Sequence, residues 1–413
     1  MADRTLNVWL GGQQVAVLHQ GRADLTLEYL GNEVARSGTG SVVLSASLLV
    51  RRRPYVGNSV VYWLEGLLPE GEARTTLEAM HNVRRGDTFG LLAAIGRECA
   101  GAISFHPEGA APSGPGTPRP ITQDELAQAI VDLPAHPLGA SEETGISLGG
   151  LQSKLLVCRV DDGWGLPTDG APSTHIMKPE PAEHPGLAAG EEYSMRLGRA
   201  AGIDTAGADL LMIAGRRVLV VERFDREYVD GAIQRLHQED ACQALGLDSR
   251  DRKKYQEATG GPSYGQMAAL LRAHAIDVSS ELKKLAKAMI LTVAVGNTDA
   301  HGKNHGFLIK NGSLSFSPVY DMAPTVQFVT RRTLALFVGG ENRLWRVTKM
   351  HLELEARSWG LSGREAVDAV EETTSKIVYA LDDMSEGEAA REVIGSIREC
   401  ALRLAASNSL STS

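Results

Sequence analysis

Asp299, Asn304 and Asp321 are the residues whose types and spacing could do chemistry. The first two stand in Gly296-Asn297-Thr298-Asp299-Ala300-His301-Gly302-Lys303-Asn304-His305, with four residues between the aspartate and the asparagine. D-x-x-x-x-N is the spacing of a kinase catalytic loop. Phosphoryl transfer needs in-line positioning, charge neutralisation and a group oriented on the attacking hydroxyl. Asp299 fits that last role. Asn304 offers a neutral oxygen and Asp321 an anionic one, both hard ligands suited to Mg²⁺. His301, Lys303 and His305 add donors for phosphate. Two other readings use the same residues. Asp299, His301 and His305 could ligate the metal of a hydrolase, although Gly302 and Gly306 make the segment loop-like and helical facing is not assured. Alternatively, Asn297, Asp299 and Asn304 are plain turn and cap residues.

Several elements must position this set. Ser280–Val295 carries apolar residues at Leu282, Leu285, Ala286, Met289, Ile290, Val293 and Ala294, a helical period that delivers the chain to the loop. Asn311-Gly312, between two strand-like runs, predicts a hairpin just before Asp321. Upstream, Gly145–Val160 predicts a hairpin with Gly149-Gly150 at its tip, able to lie over phosphates through backbone N–H groups. It is neither a Walker A sequence nor G-x-G-x-x-G, and its polar members are Ser147, Gln152, Ser153 and Lys154. The strand Thr174–Pro179 carries Lys178, and the helix Gly190–Gly202 carries Glu191 near its start. Lysine on a strand with an early helical glutamate is the ion pair that orients nucleotide phosphates in kinases. Leu210–Ala214 and Arg217–Glu222 form a strand pair running on to Arg226, where an adenine-binding connector would lie. A surface salt-bridge cluster is the alternative reading of its charges.

The rest of the chain supplies the frame. Its 413 residues suffice for two or three domains. Residues 1–105 read as an α+β unit: a hairpin at Gly11-Gly12, strand-like runs at Leu25–Leu30 and Val42–Leu49, and helices at Glu72–His81 and Thr88–Ala94. Tyr62–Gly71 is a distinctive bend with no obvious chemistry. Residues 106–120, rich in proline and glycine, predict a linker unable to hold a ladder or helix. Residues 121–226 form a small lobe with the phosphate loop, opening on a helix Ile121–Leu133 capped by Thr122 with Glu125. Residues 227–413 form a helical lobe with Gln238–Leu245, Tyr264–Ala275, the run Leu334–Val338, helices within Ser362–Ala380 and Gly387–Ser407, and a frayed end from Asn408. The net charge of −9 argues against a chain built to coat nucleic acid. Cys99, Cys158, Cys242 and Cys400 lack metal or disulfide spacing, which suggests a reducing compartment. No signal-peptide pattern and no long apolar run is present, so a cytoplasmic, membrane-free protein is expected.

Together these segments resemble the HipA-type serine/threonine kinases, the toxins of bacterial toxin–antitoxin modules. The matching pieces are Leu67–Gly71, Ile95–Ala102, Ile146–Lys154, His175–Pro179, Val221–Arg226, Gln238–Gln243, Asn297–Asn304 and Val319–Met322, in that order. The resemblance implies a two-lobed, protein-kinase-like α+β fold with an amino-terminal subdomain, and it implies ATP and Mg²⁺. Asp299 would be the catalytic aspartate, Asn304 and Asp321 the metal ligands, Lys178 the phosphate-holding lysine, and residues 147–154 the phosphate loop. Glu222 and Phe224 match the family's adenine connector, with Asp225 near the ribose. Ser147 matches a serine that family members autophosphorylate. Family toxins phosphorylate aminoacyl-tRNA synthetases and bind a HipB-like helix-turn-helix antitoxin that carries the DNA contact. Two other functions keep the fold: a corepressor that bridges the antitoxin on operator DNA, and a kinase of small molecules or lipids. The loop reads Gly-Gly-Leu-Gln-Ser-Lys where relatives often have Gly-Ala-Gln-Glu-Lys, and the carboxy-terminal third matches weakly.

Overall fold

A computed structural model describes residues 4–22, 24–112, 114, 116–139, 146–150, 152–168, 170–258, 260–330, 332–384 and 391–410. Gly145 and Leu151 of the expected phosphate loop, residues 387–390 of the last expected helix and the chain end at 411–413 lie outside these. Among the described residues, Tyr55–Val56, Leu25–Tyr29, Gln13–Gln20, Arg4–Leu10 and Ile103–Pro107 form, in that spatial order, a five-stranded antiparallel sheet. Gly11 and Gly12, with φ of 55° and 82°, make the predicted first turn. Leu6, Val8, Leu18 and Leu27 pack against helices Asn58–Leu67 and Thr88–Ile95.

Val42–Leu49 is not a strand. Val42, Val43, Leu44 and Leu48 are buried, but the backbone turns at Ser45 and is held by side chains from elsewhere. The Tyr29 hydroxyl donates to Leu48 O at 2.6 Å, and Ala46 N donates to Glu239 Oε1 at 2.8 Å. A β-branched run satisfies burial in a loop as well as in a sheet when side chains accept its backbone bonds. Glu239 is fully buried, and burial raises its pKa to about 8 against the bonds from Ser45 and Ala46. A raised carboxyl pKa means the folded state holds a proton that the unfolded state has lost, so stability falls as pH climbs from the ordinary glutamate range to about 8. Glu239→Gln should therefore raise the melting temperature at pH 8, by roughly 1–3 kcal/mol of stability, and leave pH 4 unchanged. Thermal melts across that range check it; identical slopes for both proteins would refute it.

The second sheet runs Ala208–Ile213, Arg216–Glu222, His175–Pro179, Leu155–Val160, Gly163–Leu166, Arg119–Ile121. Helix Gln123–Val131, capped by the Thr122–Glu125 box, covers one face through Leu126 and Ile130. Helix Leu187–Ala200 covers the other through Tyr193 and Leu197, against Leu219 and Val221. The linker expectation fails at both ends: His106 and Pro107 pair with Asn7 and Leu6, and Arg119–Ile121 pairs with Gly163–Leu166. Pro120 is tolerated there because the strand lies at the sheet edge.

The remaining chain packs around Val278–Val295, whose residues from Ala288 to Val295 are all buried. Helices Tyr264–His274, Lys349–Ser358, Gly363–Asp383 and Arg391–Ala405 accompany it; the second of these has no counterpart among the expected helices. Gln238–Leu245 is not one helix. His237–Asp240 is a strand paired with Gly306–Lys310, and Asp240 then caps a short helix, Ala241–Leu245. The hairpin Gly306–Lys310/Ser313–Phe316 turns at Asn311 and Gly312, with φ of 52° and 79°. No helix among the described residues is long and apolar enough to cross a membrane.

Candidate active site

The central helix stops at Gly296, whose φ is 72° and where a Cβ would lie 2.8 Å from Val326. Asn297 then ties down the loop beyond it. Its Oδ1 accepts from Asp299 N at 3.0 Å, and its Nδ2 donates to Asp321 O at 3.1 Å. The turn reading of Asn297 therefore holds, and the turn sets both aspartates. The predicted strand lysine reaches across: Lys178 Nζ lies 2.9 Å from Glu191 Oε1 and 2.6 Å from Asp321 Oδ1. Burial opposes all three charges. Even so, Lys178 stays charged, with its pKa pushed up by the two carboxylates, and it holds Asp321 down at about 2. Glu191, the more deeply buried partner, is raised by burial.

Asn304 Nδ2 donates to Asp321 Oδ2, while Asn304 Oδ1 is buried with no hydrogen-bond partner among the described residues. An orphaned amide oxygen beside an ionised carboxylate is a donor set that fits a hard divalent cation. Asp299 opens to the cleft, and Tyr255 donates its hydroxyl to Asp299 Oδ1. Surrounding protein raises the Asp299 pKa by desolvation, Tyr255 counters this, and the Asp321 charge adds to it. His301 is buried and neutral, its pKa lowered to about 3 by burial and by Lys254, with Nδ1 unpartnered among the described residues and its ring edge-on to Tyr255. His305 instead packs edge-on to Tyr264 in the core, so the hydrolase trio of Asp299, His301 and His305 is not assembled. No such metal-binding cluster occurs among the described residues.

A cleft of about 310 Å³ joins these groups to the upstream elements. Gly149, Gly150, Gln152 and Lys154 line it, but not as a hairpin tip. Residues 146–150 run extended beside the amino-terminal unit, bridging Glu98 at Ile146 and Pro69 at Gly150, and a strand begins only at Leu155. Gly149 fits because a Cβ there would stand 2.7 Å from Gly66 O; Gly150 has φ 113°. Lys154 Nζ donates to Gly149 O at 2.6 Å, and burial and Lys178 lower its pKa to about 8. Ser153 is exposed and outside the cleft lining. Ser147 is also outside it, 1% exposed, donating to Leu67 O at 2.7 Å.

Glu222 and Phe224 lie on the cleft wall, and Phe224 stacks on Tyr320 with centroids 5.3 Å apart. Asp225 reaches the lining, yet its carboxylate is spent on Arg223, Arg226 and Gly101 N. The salt-bridge alternative holds for Asp225, but the cluster, which includes Glu98, is buried rather than on the surface. Sequence reasoning missed Glu70, Lys254 and Tyr255. Glu70 falls in the bend assigned no chemistry, although it meets Lys303 at 2.7 Å and Lys254 at 3.0 Å.

Two family models match the chain, one described as the HipA N-terminal domain over residues 6–106 and one as the HipA-like C-terminal domain over residues 146–381. The chain belongs to the HipA family. A candidate kinase of Sinorhizobium fredii, Y4mE, is 34% identical over 94% of both chains. The serine/threonine-protein kinase toxin HipA of Shewanella oneidensis is 33% identical over 64% of this chain and 63% of that protein. Among solved structures, a chain of the Shewanella oneidensis HipA, HipB and operator DNA complex matches with a TM-score of 0.82 and 25% identity, covering 97% of this chain and 96% of that one. This HipA-family chain thus has a two-lobed, kinase-like α+β fold, and its relatives are named as kinases.

Proposed function

We propose that the protein is a cytoplasmic, ATP- and Mg²⁺-dependent serine/threonine protein kinase, the toxin of a HipA/HipB-like module. The observation that carries this is Lys178 held between Glu191 and Asp321, with Asn304 Oδ1, unpartnered among the described residues, beside them and Asp299 at the cleft. Bound MgATP supplies the transferable phosphoryl group and the charge that neutralises it. Lys178 and Lys154 hold phosphate oxygens, and Asn304 and Asp321 hold the metal. Asp299 orients an acceptor hydroxyl and takes its proton, a role its raised pKa suits. Phe224 and Glu222 support the nucleobase end.

The family resemblance points to an aminoacyl-tRNA synthetase as acceptor and a HipB-like helix-turn-helix partner as antitoxin. A net charge of −9 leaves DNA contact to that partner. Ser147 is the autophosphorylation site in this reading. Its burial against Leu67 means residues 146–150 must leave before phosphate is added. The added charge, about −1.5 to −2, then bars their return.

Bacterial lysate incubated with the protein, Mg²⁺ and isotopically labelled ATP should yield labelled phosphoserine or phosphothreonine on a protein acceptor, and on Ser147 of the chain itself. Label appearing in metabolites or lipids instead would transfer the assignment to a small-molecule kinase. Label nowhere, with normal antitoxin and operator binding, would favour the corepressor.

A further inference from the structure

Glu70 belongs to the amino-terminal unit, at the turn between helices Asn58–Leu67 and Gly71–Met80. Its side chain nevertheless ends on two lysines of the other lobe. One carboxylate oxygen meets Lys303 at 2.7 Å and the other meets Lys254 at 3.0 Å, and both lysine side chains are buried. The two lysines hold Glu70 ionised, at about 2, against the burial that would raise it. Lys303 lies inside the Asp299–Asn304 loop, and its carbonyl accepts from the Tyr320 hydroxyl at 2.8 Å, next to Asp321. Lys254 immediately precedes Tyr255, which donates to Asp299. The backbone of the same residue contacts the glycine loop, since Glu70 N donates to Gly150 O at 3.2 Å. One residue therefore joins the glycine loop, the Asp299–Asn304 loop and the segment that holds Asp299.

We propose that Glu70 is a positioning residue of the phosphotransfer site, which makes the amino-terminal unit a working part of that site. The proposal rests on the kinase reading above. Two buried ammonium groups without a counter-ion would repel each other and move toward the remaining carboxylates, Asp240 near Lys303 and Asp299 near Lys254. Either movement displaces the Asp299–Asn304 loop, and misplacement of about 1 Å costs on the order of 10²-fold in rate.

The test uses the full chain as wild type, Glu70→Gln and Glu70→Asp, with two readouts. The first is transfer from labelled MgATP to a serine/threonine peptide library, resolved into kcat and the KM for ATP. The second is amide hydrogen exchange at residues 299–305. Glu70→Gln should lower kcat at least about tenfold, keep the KM within about threefold and speed exchange in the loop. Glu70→Asp, which keeps the charge at shorter reach, should recover part of both. Wild-type kcat and exchange in Glu70→Gln would overturn the proposal, as would a kcat loss that only tracks the unfolded fraction in a melt. If Glu70→Gln does not fold, Glu70→Asp carries the comparison: intermediate values support the proposal and wild-type values overturn it. A wild type that transfers no phosphate sinks the kinase reading, and the exchange comparison still decides whether Glu70 orders the loop.

Discussion

Asp299→Asn should cut phosphate transfer by about 10²- to 10⁴-fold while changing ATP affinity little. The amide matches the carboxylate in size and can still accept from Tyr255, so packing is conserved and only the proton acceptor is lost. Asp299 opens to the cleft and makes no contact with Lys178, which pairs with Glu191 and Asp321 instead. Nucleotide binding therefore should not depend on its charge. The pH profile adds an independent check. Burial raises the Asp299 pKa, so wild-type activity should fall as pH drops through a value above the ordinary aspartate range. The residual activity of the variant should lack that acidic limb. Transfer of label at saturating ATP, measured over pH for both proteins, decides it. Equal rates would remove Asp299 from the chemistry.

Lys178→Met carries the second large effect, on activity and stability together. Methionine fills the space of the lysine stem on the sheet face that meets the helix carrying Glu191, but it removes the only cation paired with Glu191 among the described residues. Breaking a buried pair by deleting one partner costs about 3–5 kcal/mol. The lower end is expected here, because the side chain of Asp321 is 39% exposed and water screens it, and because Glu191 can take up a proton. Activity should fall by at least about 10²-fold, since the site would lose the charge that holds phosphate. Lys178→Arg should not restore activity, because a planar fork does not replace a point charge shared by two carboxylates. Denaturant melts and the transfer assay measure both effects. A variant as stable and active as wild type would show that the Lys178 contacts are incidental.

Some of the site was legible because its signals are local. The Asn311-Gly312 turn needs only its own two residues at positive φ. The Thr122–Glu125 cap closes within one helical turn, and the buried face of Val278–Val295 repeats along a single helix. The spacing of Asp299 and Asn304 is likewise short, and it encodes a loop that Asn297 ties to Asp321. The order of a strand and a helix pairs Lys178 with Glu191, and the two meet at 2.9 Å.

What the sequence by itself determined is therefore the set of reacting groups and the elements that carry them, since propensity, capping and turn chemistry act between near neighbours. Only the tertiary structure decided the partners of those groups. Glu70 looked like part of a plain bend, and it becomes a counter-ion only when two lysines from distant segments close on it. The Gly149-Gly150 segment runs extended rather than turning back, because Gly66 and Pro69 lie alongside it. Asp225 is absorbed by arginines that folding buries with it. A buried charge must be paired wherever the chain brings the partner from, and periodicity along one segment carries no record of that distance.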